Sequence, residues 1–254
     1  MNRDFYLELA GQGLRMPIGT DLLLHEQPDP EACRLDGDAL GAVVVGCAER
    51  FRTPLAFPLM DLEIEKEWLV RGLGVPAAQA GTYHFSSGLS EAGLAAAEAG
   101  LGGPTPRMKA SLGSLDYVRR TSSAVPIGMC IGPFSLMTKL LADPITSVYM
   151  VALDPDDDDA RSTLNTLELA TRLIVRWVVA QLEAGAKAIC VCEPACSSAY
   201  ISPNQLAAHP GVLDTLVLTF HRRMRQVLAD HDADLILHDC GQLTDDFVSS
   251  FKEL

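Results

Sequence analysis

Two residues of different chemistry stand two apart near the C-terminus, His238 and Cys240, in the stretch A-D-L-I-L-H-D-C-G-Q-L-T (residues 233–244). Leu235 to Leu237 is an apolar run of strand length. Alternate residues of a strand share a face, so an imidazole and a thiolate can be presented together at its carboxyl end. A nitrogen and a sulfur donor so placed suit zinc. The plainer reading is a buried histidine and a free cysteine beside a turn, because two ligands do not make a site. Gly241 next to them permits a sharp turn and a close approach of the chain.

Other chemistry-bearing residues also fall just after apolar runs. Asp61 follows the run 54–60 and opens an acidic series with Glu63 and Glu65. Acids at a helix start are favoured by the helix dipole, so capping explains this series without any function. Ser86 lies near the end of the run 83–87. Gly132 and Phe134 lie in G-P-F-S-L after the run 125–131, a strand-turn-helix junction whose free amides could hold an anion or a polar substrate. Glu193 follows the run 188–192. The acidic run D-P-D-D-D-D (154–159) lacks the alternating ligands, central glycine and closing glutamate of a calcium loop and reads as a solvated helix entry.

The elements that position these groups alternate. Helices are predicted over 38–51, 90–100, 113–120 and 164–184 and within 209–230. Gly185 is a natural stop for the long helix, whose Trp177 points to the core. Five strands are predicted, over 54–60, 83–87, 125–131, 188–192 and 235–237. Alternating buried strands and amphipathic helices imply a parallel sheet covered by helices. In a β/α barrel, catalytic groups gather at the carboxyl ends of the strands. The fold class is therefore α/β, a TIM-type barrel with about five or six of its eight β/α units. Eight strands would need roughly another 80 to 100 residues. The chain reads as one barrel domain over 1–254, with residues 1–52 as a helical and extended lead-in.

The 254 residues are 48% hydrophobic and 21% charged, as a soluble protein with a sizeable core would be. The net charge of -13 argues against a general nucleic-acid or anionic-membrane binder. There is neither a signal-peptide pattern at the N-terminus nor an apolar run of membrane-spanning length. Seven cysteines without a paired framework fit reduced thiols in the cytoplasm.

Four stretches together resemble the uroporphyrinogen decarboxylase superfamily: F-P-L-M-D-L-E-I-E-K-E, V-P-I-G-M-C-I-G-P-F-S-L, A-G-A-K-A-I-C-V-C-E-P-A-C-S-S-A-Y-I-S-P and L-I-L-H-D-C-G-Q-L. The chain is most similar to its cobamide-dependent branch, zinc methyltransferases that pass a methyl group from a methylated corrinoid protein to a thiol such as coenzyme M. The resemblance implies a barrel, zinc held by His238 and Cys240, a small thiol substrate, and a corrinoid carried by a partner protein. It implies that Glu193 serves as an extra ligand or proton acceptor, against a capping role, with Asp61 as a second catalytic carboxylate, and that Ser86, Gly132 and Phe134 line the substrate pocket. The chain departs from the family where a downstream cysteine supplies a third ligand. Cys196 is the nearest substitute, while Cys190 and Cys192 read as strand-core thiols. The decarboxylase branch is the alternative, but its arginine-rich N-terminal motif is absent around residues 14–20, where Met16, Pro17, Ile18 and Gly19 stand. Lys109, Arg119, Arg120 and Lys139 are few for a substrate with many carboxylates. A third alternative is a non-catalytic barrel fragment that folds with a partner or as a homodimer.

Overall fold

The computed structural model describes residues 1, 3–13 and 19–254, except for the side chain of Glu253. The stretch around Met16 and Pro17 lies outside the described residues. Four parallel strands, β1 (Leu55–Ala56), β2 (Val125–Ile131), β3 (Ala188–Cys192) and β4 (Asp234–His238), form one sheet in that order. In chain order the helices are α1 (Arg3–Gly11), α2 (Thr20–His25), α3 (Pro30–Arg34) and α4 (Gly37–Arg50) before β1. Between β1 and β2 come α5 (Ile64–Gly72), α6 (Glu91–Ala99) and α7 (Pro106–Thr121). Between β2 and β3 lie α8 (Pro133–Leu140), α9 (Pro144–Leu153) and α10 (Asp158–Glu183). Then α11 (Pro203–Ala208), a π-helical turn (Asp214–Leu218) and α12 (Thr219–Asp230) lead to β4, and α13 (Asp245–Ser250) follows it.

β2 spans the predicted 125–131 and β3 the predicted 188–192. A strand buried on both faces is continuously apolar, and this makes parallel strands legible as runs. One face carries Leu55, Ile127, Met129, Ala188, Cys190 and Cys192, with Phe5, Tyr6 and Leu9 of α1 packed against it. The opposite face meets α10 through Leu173, Ile174, Trp177 and Val178. Gly185 ends α10 with a φ of 113°, in the left-handed region open to glycine. The run 154–159 enters α10, with the Asp157 side chain accepting from the Asp159 amide. This is a cap rather than a calcium loop.

The structure corrects three expectations. The predicted strand 83–87 forms only an isolated bridge, Phe85 with Leu141, so the described sheet has four strands rather than five or six. The helix predicted over 113–120 begins at Pro106, capped by Thr105. Gly113 was read as its start but lies inside it, because α7 meets α4 there so closely that a Cβ on Gly113 would stand 2.9 Å from Gly37 Cα. The third expectation concerns the acidic series. Glu63 is paired with Lys139 on the surface, but Glu65 neither caps nor lines a pocket.

Glu65 completes the sheet where β1 stops. β1 pairs with β2 only at Val125 and Pro126. Further along, the β2 amide of Met129 donates to Gln181 Oε1 at 2.8 Å and that of Ile131 to Glu65 Oε1 at 3.0 Å. Side-chain acceptors thus replace a missing strand, as buried amides require. Glu65 is fully buried with Oε2 unpartnered among the described residues, and desolvation pushes its pKa up to about 8. Between the unfolded carboxyl's ordinary value and about 8, the folded state holds a proton the unfolded state has released. Stability therefore falls as pH rises through that window and levels off above it. Glu65→Gln keeps the acceptor for Ile131 and removes the titration. Urea unfolding at pH 5 and pH 8 is expected to show wild type losing stability between the two and the variant losing less. A wild type with no such loss would contradict the buried carboxyl.

Candidate active site

The register places Ile131, Cys192 and His238 in one row at the carboxyl ends of β2, β3 and β4. The next row is therefore Gly132, Glu193 and Asp239. The ladder continues into it, with the Gly132 amide donating to the Cys192 carbonyl at 2.6 Å and the Glu193 amide to the His238 carbonyl at 2.9 Å.

Glu193 has no exposure. Its Oε1 accepts from the Phe134 amide at 3.2 Å and its Oε2 from the Ser135 amide at 2.8 Å, so the carboxyl closes the N-terminus of α8. Sequence reasoning expected free amides there, available to a substrate. They are taken by the chain's own glutamate. Gly132 makes room for it: a Cβ at that position would meet Glu193 Cδ at 2.0 Å. Phe134 contributes its amide, while its ring lies fully buried against Tyr200. Gly132 and Phe134 thus shape the seat of Glu193 and do not line an open pocket. Burial raises the Glu193 pKa, and His221 and the amides oppose that rise.

Around this carboxyl stand groups that sequence reasoning missed. His221 on α12 is fully buried, with Nε2 3.6 Å from Glu193 Oε1. Asp239 Oδ1 accepts from the Gly241 amide at 2.9 Å, while Oδ2 is buried and unpartnered among the described residues. Burial pushes its pKa up, and the charge of Glu193 adds to this. His221 was detectable in principle, four residues after Val217 and three before Met224, on the inward stripe of its helix. Asp239 sits between the two residues that drew attention, on the face that strand alternation assigned elsewhere.

His238 is half-buried and Cys240 exposed, so both are reachable from solvent at the end of β4. Gly241 allows the close approach expected of it, since a Cβ there would stand 2.4 Å from Ser197 Cβ. Among the described residues, no three His, Cys, Asp or Glu side chains are placed to hold a metal ion. His238 and Cys240 are two donors where a catalytic zinc takes three from protein. Cys196 is buried, its thiol pushed up by desolvation, and makes a poor thiolate. The residues described here do not by themselves fit a zinc site.

Asp61 stands apart from this row. Its Oδ2 accepts from Arg107 Nε at 3.0 Å and also from the same guanidinium's Nη2, and Arg107 holds Glu67 at 2.7 Å. That carboxylate oxygen is committed to the Arg107 guanidinium. Ser86 is exposed in a surface depression bounded by Leu141, Asp143, Ser147 and Thr163, none of which belongs to the Glu193 cluster.

Gly132→Ala tests the seat of Glu193. Overpacking of this kind costs roughly 1–3 kcal/mol, and urea denaturation is expected to show a loss of at least that size. A variant as stable as wild type would place the carboxyl elsewhere.

Among the described residues no helix is long and apolar enough to cross a membrane. A search of curated proteins finds no match. Among solved structures the chain is similar to a methyltransferase from Methanosarcina mazei, with a TM-score of 0.55 and 15% identity. The match covers 89% of this chain and 63% of that one, and at this identity it shows the fold. The family model for uroporphyrinogen decarboxylase (URO-D) matches residues 89–254, about two thirds of the chain and all three junctions that build the row of Gly132, Glu193 and Asp239. The chain belongs to the uroporphyrinogen decarboxylase family.

Proposed function

We propose that this protein is a methyltransferase of that family, moving a methyl group from a methylated corrinoid protein to a small thiol at the carboxyl edge of the sheet. The observation that carries this reading is the make-up of that edge: two carboxyls, two imidazoles and an exposed thiol, of which His238 and Cys240 are open to solvent. His238 takes the proton of the incoming thiol, leaving a thiolate that attacks the methyl carbon while the methyl–donor bond breaks. Cys240 borders the same approach. Zinc is part of the family resemblance, but it would need donors beyond this pair, and no step here depends on it. All seven cysteines are free thiols, which supports a reducing, cytoplasmic setting.

A porphyrinogen with many carboxylates is a poorer fit. Lys139 is held by Glu63, Arg119 by Asp116, and Arg120 by Asp116 and Asp38, while Arg107 is held by Asp61 and Glu67. Using them for substrate would mean breaking pairs already made. With methylcobalamin and a simple thiol as probes, wild type is expected to form the thioether. His238→Ala should reduce the rate by about 100-fold, the size of a lost general base, and Cys240→Ala should also slow it. Turnover of a porphyrinogen, or full activity in both variants, would overturn the reading.

One observation favours a second reading alongside this one. Among the described residues β4 closes one end of the sheet with no strand paired on its outer side. Open edges recruit other chains, so the reading includes a second copy or a partner lying along β4. Light scattering is expected to give a mass rising with concentration above 27.3 kDa. A constant 27.3 kDa would remove the second copy.

A further inference from the structure

His221 has no task in the reaction above, yet its placement is closely determined. It follows the π-helical turn Asp214–Leu218, and its Nδ1 lies 3.1 Å from the carbonyl of Val217 inside that turn. A carbonyl only accepts, so Nδ1 carries a proton. Nε2 then faces Glu193 Oε1 at 3.6 Å, with no hydrogen-bond partner among the described residues. Both side chains are closed to solvent. Were both facing atoms bare, a buried carboxylate would oppose a buried lone pair with no water between them, an arrangement of high energy. One proton between them removes the conflict. Whether it sits on oxygen or nitrogen, the pair as a whole is neutral, the least costly state in that interior. Asp239, from the end of β4, is the other charged group that acts on both, and the Cys196 thiol lies beside Glu193.

The consequence reaches the solvent-facing residues through hydrogen bonds. Glu193 holds α8 through the amides of Phe134 and Ser135 and holds β4 through the His238 carbonyl. Ser135 Oγ in turn accepts from the Ala195 amide at 3.0 Å. We propose that His221 is a positioning residue for the reactive edge: with one shared proton it anchors the Glu193 carboxyl to α12, and through Glu193 it fixes the end of β4 that carries His238 and Cys240.

Only the kinetic part of the test rests on the function proposed above. Nitrogen-15 spectra of the His221 ring are expected to show Nδ1 protonated and an Nε2 signal that shifts in Glu193→Gln. A bare Nδ1, or an Nε2 signal identical in the two proteins, would overturn the proposal whatever the reaction is. In the methyl-transfer assay, His221→Leu should lower kcat by about tenfold or more, as misplacement of reacting groups does, with the KM for thiol unchanged. His221→Gln, which can still donate toward Oε1, should recover most of that loss. A Leu variant with wild-type kcat, or a Gln variant no better than Leu, would also overturn it. Should the Leu variant fail to fold, the ring spectra of wild type and Glu193→Gln decide the matter.

Discussion

The structure turns on one buried carboxyl. Glu193 is bonded at both oxygens to the first amides of α8, faced by His221 of α12, and linked by its own amide to the end of β4. A carboxylate at a helix N-terminus gains from the dipole and from charge-assisted bonds. Removing it would leave two buried amides and a buried imidazole without partners, each a desolvation cost with nothing to offset it. The cost of burying it is met by geometry: Gly132 has no side chain and gives the carboxyl its space. The same carboxyl therefore ties the turn after β2 to the turn after β3, while the Glu193 amide joins that turn to the end of β4.

The edge so held divides its polar groups into two kinds. Glu193 and His221 lie fully inside, while Asp239 is half-buried with its Oδ1 accepting from the Gly241 amide. His238 and Cys240 face outward. Rigid support is what a reacting group needs if its position is to be held to fractions of an ångström, and the bonds of Glu193 to α8 supply it. The acids and bases elsewhere are spent on structure. Asp61 is locked to Arg107, and Glu65 stands in for a strand at the side of β2 that β1 does not reach.

The sequence by itself determined the parallel sheet, because strands buried on both faces must be apolar throughout. Runs such as A-I-C-V-C (188–192) and V-P-I-G-M-C-I (125–131) admit little else. It determined the existence and the end of the long helix through its apolar stripe and Gly185, though the helix begins at Asp158 rather than at residue 164, and it located the junctions at which polar groups gather. The failed strand at 83–87 shows the limit: a short run with aromatic residues carries no information on whether a neighbouring strand lies within reach, and Phe85 finds only Leu141. Gly113 shows it again, since a glycine that marks a helix boundary and one that admits a second helix look alike in the chain.

Only the tertiary structure decided what the polar residues do. Glu193 could be read as a ligand, a proton acceptor or a cap. It is a cap because α8 begins beside the end of β3, a relation between residues 58 and 59 positions apart. His221 and Asp239 enter the same cluster from α12 and β4, and no local pattern records that meeting. Local sequence governs period and propensity, which act over a few residues. Burial, pairing and the sharing of protons depend on which distant segments the fold brings within a few ångströms of one another.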